Sequence, residues 1–351
     1  MNKKIVIDGR QLTGSMGGVQ RYIREILAEL DKIAEPGQYE ILMPKGSNIS
    51  VKYENIPLVE YGLFKGLVWE QISLPFYLLK KKCYGLFPCT IVPMLYPKGI
   101  AVVHDVMVAS CPQLVDAFES SFAKNMLLLN YKAACKRADI VVTVSEFSKK
   151  DIMELYKTPE EKIGVVGNAW QHILRVEPED TWKEKYPALK SGEFYFSLSA
   201  NRKQKNFKWI YETAKRNPNV IFAMAGTQEK WQKQQEFDAP NILHLGYISD
   251  GEIRSLMAHC KAFLFPSIYE GFGIPPLEAL ASGAEIIIAN SSCLPEIYGD
   301  SAHYIDPYDY DVDLDKLLSE KVVPAEKVLS KFGWDISARK IHEICRKLVE
   351  K

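Results

Sequence analysis

The chain has 351 residues, 47% of them hydrophobic and 25% charged. These are globular values at a length suited to two domains, and they exclude disordered and fibrous classes. The 44 Lys+Arg balance the 44 Asp+Glu for a formal net charge of +0, so no nucleic-acid partner is expected and any anion must meet a local cluster of donors.

Seven cysteines, at positions 83, 89, 111, 135, 260, 293 and 345, are odd in number and show no C-x-x-C spacing. That argues against a zinc site and a disulfide framework, and for reduced thiols in a cytoplasmic protein. Met1-Asn2-Lys3-Lys4 leads directly into a strand-like run, which reads as the absence of a secretory signal. No apolar run is long enough to span a bilayer. Leu78-Leu79-Lys80-Lys81-Lys82 joins an apolar run to three positive charges. It reads either as a solvated helix end or as a patch for anionic lipid or a lipid-linked acceptor, that is, a peripheral membrane contact.

In chain order, Lys4–Asp8 predicts a strand and Thr13–Gly18 a loop. From Val19, Tyr22, Ile23, Ile26, Leu27 and Leu30 repeat at helical spacing. Glycines before a helix let backbone N–H groups face a ligand. Tyr39–Met43, Ile100–Val103, Asp139–Val144 and Val165-Val166 read as further strands, and Ser145 as the cap of the helix that follows. The stretch from Val165 to about Glu193, with Gly167, Pro178, Pro187 and Gly192, reads as a domain boundary. Beyond it, strands are expected at Phe194–Ser199, Val220–Ala225, Ile242–Leu245, Ala262–Phe265 and Glu285–Ala289. Helices are expected at Phe207–Arg216, from Ser249 through Met257, and at Leu277–Ala281. Asp335–Lys351 predicts a last helix with Trp334, Ile336, Ile341, Ile344 and Leu348 forming an apolar stripe. Strand–helix alternation in both halves predicts two open parallel α/β units, whose ligands sit beyond the carboxyl ends of the strands.

The strongest chemical signal is Glu270-Gly271-Phe272-Gly273-Ile274-Pro275-Pro276-Leu277-Glu278. Gly271 and Gly273 suit a tight loop, and the two prolines suit the first positions of a helix. Glu278 is then expected in the first helical turn. Backbone donors and carboxylates together can hold sugar hydroxyls or phosphate. The alternative is an ordinary capping glutamate in an α/β turn. A second site is the basic run Asn201-Arg202-Lys203-Gln204-Lys205-Asn206, read as a diphosphate clamp or a solvated loop. Gly17 and Gly18 form either a ligand loop or a plain loop–helix junction. His104, beside Asp105 after a strand, is structural or functional. Asp311-Val312-Asp313 lies in a polar stretch and is read as surface, not as a metal site.

The run from His244 through Asp306 resembles family-4 glycosyltransferases of GT-B fold, retaining enzymes with the same E-x7-E element. Ile7-Asp8-Gly9-Arg10, Gly17-Gly18-Val19 with Arg21-Tyr22, Trp69-Glu70-Gln71, Val103-His104-Asp105, Val144–Ser148 and Trp334 resemble further landmarks of that family. Gly167-Asn168-Ala169 and Ala284-Glu285 depart from its usual Pro-Asn-Gly and Thr-Pro.

The resemblance implies two Rossmann-like domains facing across a cleft: an acceptor domain at 1–170, a donor domain at 171–334, and a helix at 335–351 crossing back to the first. It implies transfer of a sugar, mannose among the candidates, from a nucleotide-sugar donor to a glycan or lipid-linked acceptor in surface-polysaccharide synthesis. The nucleotide sugar is a substrate, and neither cofactor nor metal is expected. Glu270, His104, Lys205 and Arg202 are the implied catalytic residues, with Lys203 competing for the arginine role. Gly17, Gly18, Arg202, Lys205, Gly271, Phe272, Gly273, Ile274, Leu277 and Glu278 are the implied donor-binding set, with Glu278 on the ribose. The rival readings are another GT-B enzyme, such as an epimerase or phosphorylase, and a non-catalytic nucleotide-sugar-binding protein.

Overall fold

The structure, a computed structural model, describes residues 4–14, 17–49, 51–115, 120–198, 202–226 and 239–350. The chain divides into two compact units. One comprises Met1–Pro112, Ala117–Asn168 and Trp334–Lys351; the other comprises Gln113–Asp116 and Ala169–Gly333. The boundaries thus differ slightly from residues 170 and 334. Trp170 belongs to the second unit, where its indole N–H donates to the Leu329 carbonyl at 3.0 Å. Trp334 belongs to the first, where it meets Tyr22 edge-on at 6.2 Å.

The first unit is built on seven strands: β1 (Ile5–Asp8), β2 (Tyr39–Pro44), β3 (Leu58–Tyr61), β4 (Tyr84–Phe87), β5 (Gly99–Val102), β6 (Ile140–Thr143) and β7 (Ile163–Val165). Every pairing is parallel, in the order β3-β2-β1-β4-β5-β6-β7. β1, β2, β4 and β5 are buried along their whole length, as both-face coverage by helices requires. β3 and β4 are absent from the sequence reading. β3 is an edge strand with a half-exposed alternating pattern, and β4 is a four-residue run directly after the lysines.

Helix α1 (Gly18–Ile33) buries Tyr22, Ile23, Ile26, Leu27 and Leu30 as its periodicity predicts. A π-helical turn at Trp69–Ser73 leads into α2 (Leu74–Lys81). Helix α3 (Ser121–Arg137), which the sequence reading omits, precedes β6. Helix α4 (Glu146–Tyr156) starts at Ser145, whose Oγ accepts from the Ser148 N–H at 3.1 Å.

The second unit carries β8 (Phe194–Leu198), β9 (Ile221–Ala225), β10 (Ile242–Gly246), β11 (Ala262–Phe265), β12 (Ile286–Ala289) and β13 (His303–Ile305). These too are all parallel, in the order β10-β9-β8-β11-β12-β13. Helix α5 (Phe207–Arg216) buries Trp209, Ile210 and Tyr211 against Tyr195, Phe222 and Leu264 of the sheet. Helix α6 (Asp250–His259) opens on a capping box, with Ser249 and Glu252 bonding each other's backbone N–H. Helix α7 spans Ile274–Ala281. It begins three residues earlier than expected, so Glu278 is its fifth residue and lies past the first turn.

Helix α8 (Trp334–Val349) returns to the first unit and packs on α1. Its buried stripe is Trp334, Ser337, Ala338, Ile341, Cys345 and Leu348; Ile336 and Ile344, expected on that stripe, are only half-buried. Spacings of three, four and seven from Trp334 select the former set, and Ile344 falls to its flank.

Each sheet reverses its winding once, between β1 and β4 in the first unit and between β8 and β11 in the second. At such a switch point, the loops after two adjacent strands diverge and leave a crevice at their carboxyl ends.

Candidate active site

The loops after β8 and β11 hold the basic run and the two-glutamate element, so the second switch point brings the two strongest sequence signals together. Asn206 takes a left-handed conformation at φ 52°, which asparagine tolerates. That orientation lets its side-chain amide donate to the Pro266 carbonyl at 3.2 Å and the Pro307 carbonyl at 2.8 Å. The Ile268 N–H donates to the Gln204 carbonyl at 2.8 Å. The two loops are thereby fixed to one another on both sides of Lys205.

Lys205 Nζ lies 2.7 Å from Glu270 Oε1 and 4.7 Å from the centre of the Phe265 ring. Both partners of the pair are about four-fifths buried. Glu270 is steadied from its other side, where its N–H donates to Ser292 Oγ at 3.1 Å. An ammonium carries three donors, so one bond to Glu270 leaves two for phosphate oxygens. Glu270 keeps acceptor capacity for hydroxyls. Arg202 and Lys203 lie on the exposed side of the same turn. Asn201, the first residue of the basic run, lies outside the described residues, as do Ser15 and Met16 of the glycine loop.

Gly273 sits at φ 81°, and a Cβ there would come within 2.8 Å of Leu294 Cδ2. The position therefore demands glycine for both backbone and space. Tyr298 seals the start of α7: its hydroxyl donates to the Gly273 carbonyl and accepts from the Leu277 N–H. Leu277 is fully buried with its N–H engaged, and Phe272 is buried edge-on against Phe332 at 5.2 Å. Both side chains pack into the core beneath the loop. Gly271 and Gly273 line the loop's backbone, and Ile274 is half-exposed at the helix start.

Glu278 is brought to His172, 106 positions away, with His172 Nε2 2.5 Å from Glu278 Oε1. His172 carries no signal in sequence, because only folding creates the pair. Beside Lys205 lies a cavity of about 300 Å³ whose walls include Leu198, Gly226, Tyr247, Ile248, Phe265 and Pro275. Tyr247 is 86% exposed, an aromatic face at the cavity. Tyr247 and Ile248 fall within the His244–Asp306 run but carry no assigned role in it. Their place, directly after β10, was the available signal.

Residues 178–325, most of the second unit, match the family described as "Glycosyl transferases group 1". The similarity to that family is thus confined to the second unit. Among curated proteins, the O-antigen chain mannosyltransferase B of Escherichia coli is 27% identical over 233 residues, 62% of this chain and 60% of that protein. The match thus spans about three-fifths of that relative's length. Among solved structures, a sucrose-phosphate synthase from Thermosynechococcus elongatus superposes with a TM-score of 0.73 at 14% identity, covering 99% of both chains. HepE from Anabaena, in complex with UDP, does so with 0.68 at 15% identity, covering 99% of this chain and 100% of its own. These likenesses give the fold, GT-B with two Rossmann-like units.

The remaining predicted residues belong to the first unit. Gly17 and Gly18 are exposed at the start of α1, where first-turn N–H groups have no helical acceptor. His104 packs edge-on against Tyr22 at 4.7 Å, and Tyr22 against Trp334. Ser148 Oγ donates to the His104 carbonyl at 3.3 Å, so two sequence landmarks meet. Burial pushes the imidazole down to about 4, and its Nε2 donates to the Pro88 carbonyl at 3.2 Å. His104 is therefore neutral at pH 7, with a lone pair on Nδ1. Among the described residues no group of three His, Cys, Asp or Glu comes together as a metal-binding cluster, and no helix is long and apolar enough to cross a membrane.

Proposed function

We propose that this chain transfers a sugar from a nucleotide-sugar donor to a glycan or lipid-linked acceptor, with retention of anomeric configuration, in the synthesis of a surface polysaccharide. The carrying observation is the Lys205–Glu270 pair at the switch point of the second sheet, beside the Tyr247 cavity. Mannose is the proposed sugar, on the likeness to a mannosyltransferase of O-antigen chains. The nucleotide occupies the cavity, its base against Tyr247 and its ribose at Glu278. Work on a lipid-linked acceptor places the protein in peripheral contact with the inner face of a membrane.

The mechanism follows from charge. As the anomeric carbon–oxygen bond to the diphosphate breaks, negative charge grows on the leaving oxygens, and a fixed cation stabilises that state more than the ground state. Lys205 is that cation, with the exposed Arg202 or Lys203 as its neighbour. Glu270 orients the sugar through its hydroxyls while the acceptor approaches from the same face as the leaving group. In the first unit, His104, neutral and with a lone pair on Nδ1, and the α1 start at Gly17 and Gly18 offer an acceptor and backbone donors.

Incubation with GDP-mannose and UDP-glucose in parallel tests this reading. The correct donor raises the melting temperature by mass action, and NMR of the product shows a retained anomer. Activity is expected to persist in excess chelator, since side-chain cations neutralise the diphosphate. An inverted product, or stabilisation by neither donor, defeats the proposal.

A further inference from the structure

The stretch from Leu63 to Lys82 in the first unit is apolar on two opposite faces. One face buries Trp69, Leu74, Tyr77 and Leu78 in the core. The other presents Leu63, Phe64, Leu67, Phe76 and Leu79 to solvent, each between 46% and 87% exposed. A helix with apolar residues all round is normally buried on every side, and soluble monomers rarely expose a contiguous apolar stripe of this kind.

The π-helical turn at Trp69–Ser73 makes the outer stripe continuous. In an α-helix a spacing of four overshoots one turn by about 40° at each step, and the wider π turn takes that drift back. Val68, Ile72 and Phe76 therefore stay on one outer line. The turn is held in place by the Trp69 indole N–H, which donates to the Tyr61 carbonyl at 2.7 Å. Gln71 extends the surface: its Oε1 accepts from the Met94 N–H at 2.9 Å, next to Leu95, which is 84% exposed.

Within this segment the exposed charges carry one sign. Lys65 lies at its start and Lys80, Lys81 and Lys82 at its end, all exposed, and the only acid between Leu63 and Lys82 is the buried Glu70. Protein–protein interfaces are depleted in lysine. A lysine rim around exposed aliphatic and phenyl groups is instead the composition that fits an anionic bilayer, where apolar groups enter the acyl boundary and ammonium groups reach the headgroups.

We infer that the Leu63–Lys82 segment is a membrane-docking surface that binds an anionic phospholipid bilayer, with the outer line of Val68, Ile72 and Phe76 inserted and Lys80–Lys82 on the headgroups. This is independent of the donor-site reading, because its test uses no nucleotide sugar.

The test is co-sedimentation of the full chain with vesicles of phosphatidylcholine, alone and mixed with phosphatidylglycerol. The protein is expected to pellet with the mixed vesicles and to be released by salt. Replacing Lys80, Lys81 and Lys82 by Gln should weaken partitioning onto mixed vesicles by about 100-fold, since each lysine near an anionic surface contributes roughly one factor of five. Ile72→Ser with Phe76→Ser should lower partitioning at least about tenfold and lower the melting temperature only slightly, because half or more of each side chain already faces water. No sedimentation with mixed vesicles overturns the inference. So does undiminished binding by the Ile72/Phe76 variant. A concentration-dependent dimer lost in that variant, without vesicle binding, assigns the surface to a second copy of the chain and equally overturns it.

Discussion

Lys205 Nζ and Glu270 Oε1 meet at 2.7 Å across 65 positions of sequence, each on a loop that leaves one of two adjacent parallel strands. The pair is preformed. The cation proposed for the leaving group is held by the carboxylate proposed for the sugar, so a change in one displaces the other.

Lys205→Ala is expected to lower turnover by on the order of 10²–10³, the usual effect of losing one transition-state donor. It should weaken nucleoside diphosphate more than bare nucleoside. Glu270→Gln should cut turnover and leave nucleoside diphosphate affinity nearly intact. Because the groups touch, the double variant should lose less than the sum of the two free-energy changes. Steady-state kinetics with calorimetric binding checks this, and strict additivity of the two losses refutes the coupling.

His172 and Glu278 are both about nine-tenths buried or more. Removing the imidazole takes one hydrogen-bond partner away from a buried carboxylate, a change of about 1–3 kcal/mol. His172→Ala should therefore weaken nucleoside binding by roughly tenfold or more while changing turnover at saturating donor little. Unchanged nucleoside affinity would detach Glu278 from the ribose.

On α8, Trp334 and Ile341 are almost fully buried, whereas Ile344 is half-buried. Trp334→Ala should destabilise by about 3–5 kcal/mol and Ile341→Ala by about 2–5 kcal/mol. Ile344→Ala should cost clearly less. Deleting the helix should lower the melting temperature at least as much as Trp334→Ala. Equal effects at Ile341 and Ile344 in denaturant titrations contradict the observed stripe.

The landmark residues Asp8, Arg10 and Glu70 form a buried cluster, with Arg10 Nε 2.6 Å from Glu70 Oε1. Burial, followed by the neighbouring Asp8 charge, pushes Glu70 from 4.5 up to about 9. One proton shared by the two carboxyls also gives Asp8 Oδ2 and Glu70 Oε2 a partner they otherwise lack. The folded chain keeps this proton where the unfolded chain has lost it. The contribution to stability is therefore full below pH 4.5 and is lost as pH rises toward 9. Glu70→Gln, neutral in both states, should gain melting temperature relative to the parent as pH rises through that window and show no such gain near pH 4. A pH-independent difference means that both carboxyls are ionised.

Sequence by itself determined the elements whose burial follows one rule. The 3.6-residue period gave α1 and α5, the short β-branched and aromatic runs gave most of both sheets, and Ser145 and Ser249 marked helix starts. Glu270, Gly273 and Lys205 were also legible, because a strand, a glycine loop and a helix start are local features. Only tertiary structure decided that Glu278 answers to His172, that Leu277 and Phe272 are core, and that Tyr247 opens on the Lys205 cavity. The same holds for the outward line of Val68, Ile72 and Phe76, since the sequence marks only Leu78–Lys82 as a solvated helix end or lipid patch. Each depends on which strands lie adjacent and which face of a helix is already occupied. Those are properties of contacts between residues tens to a hundred positions apart, on which the local periods of a strand or helix carry no information.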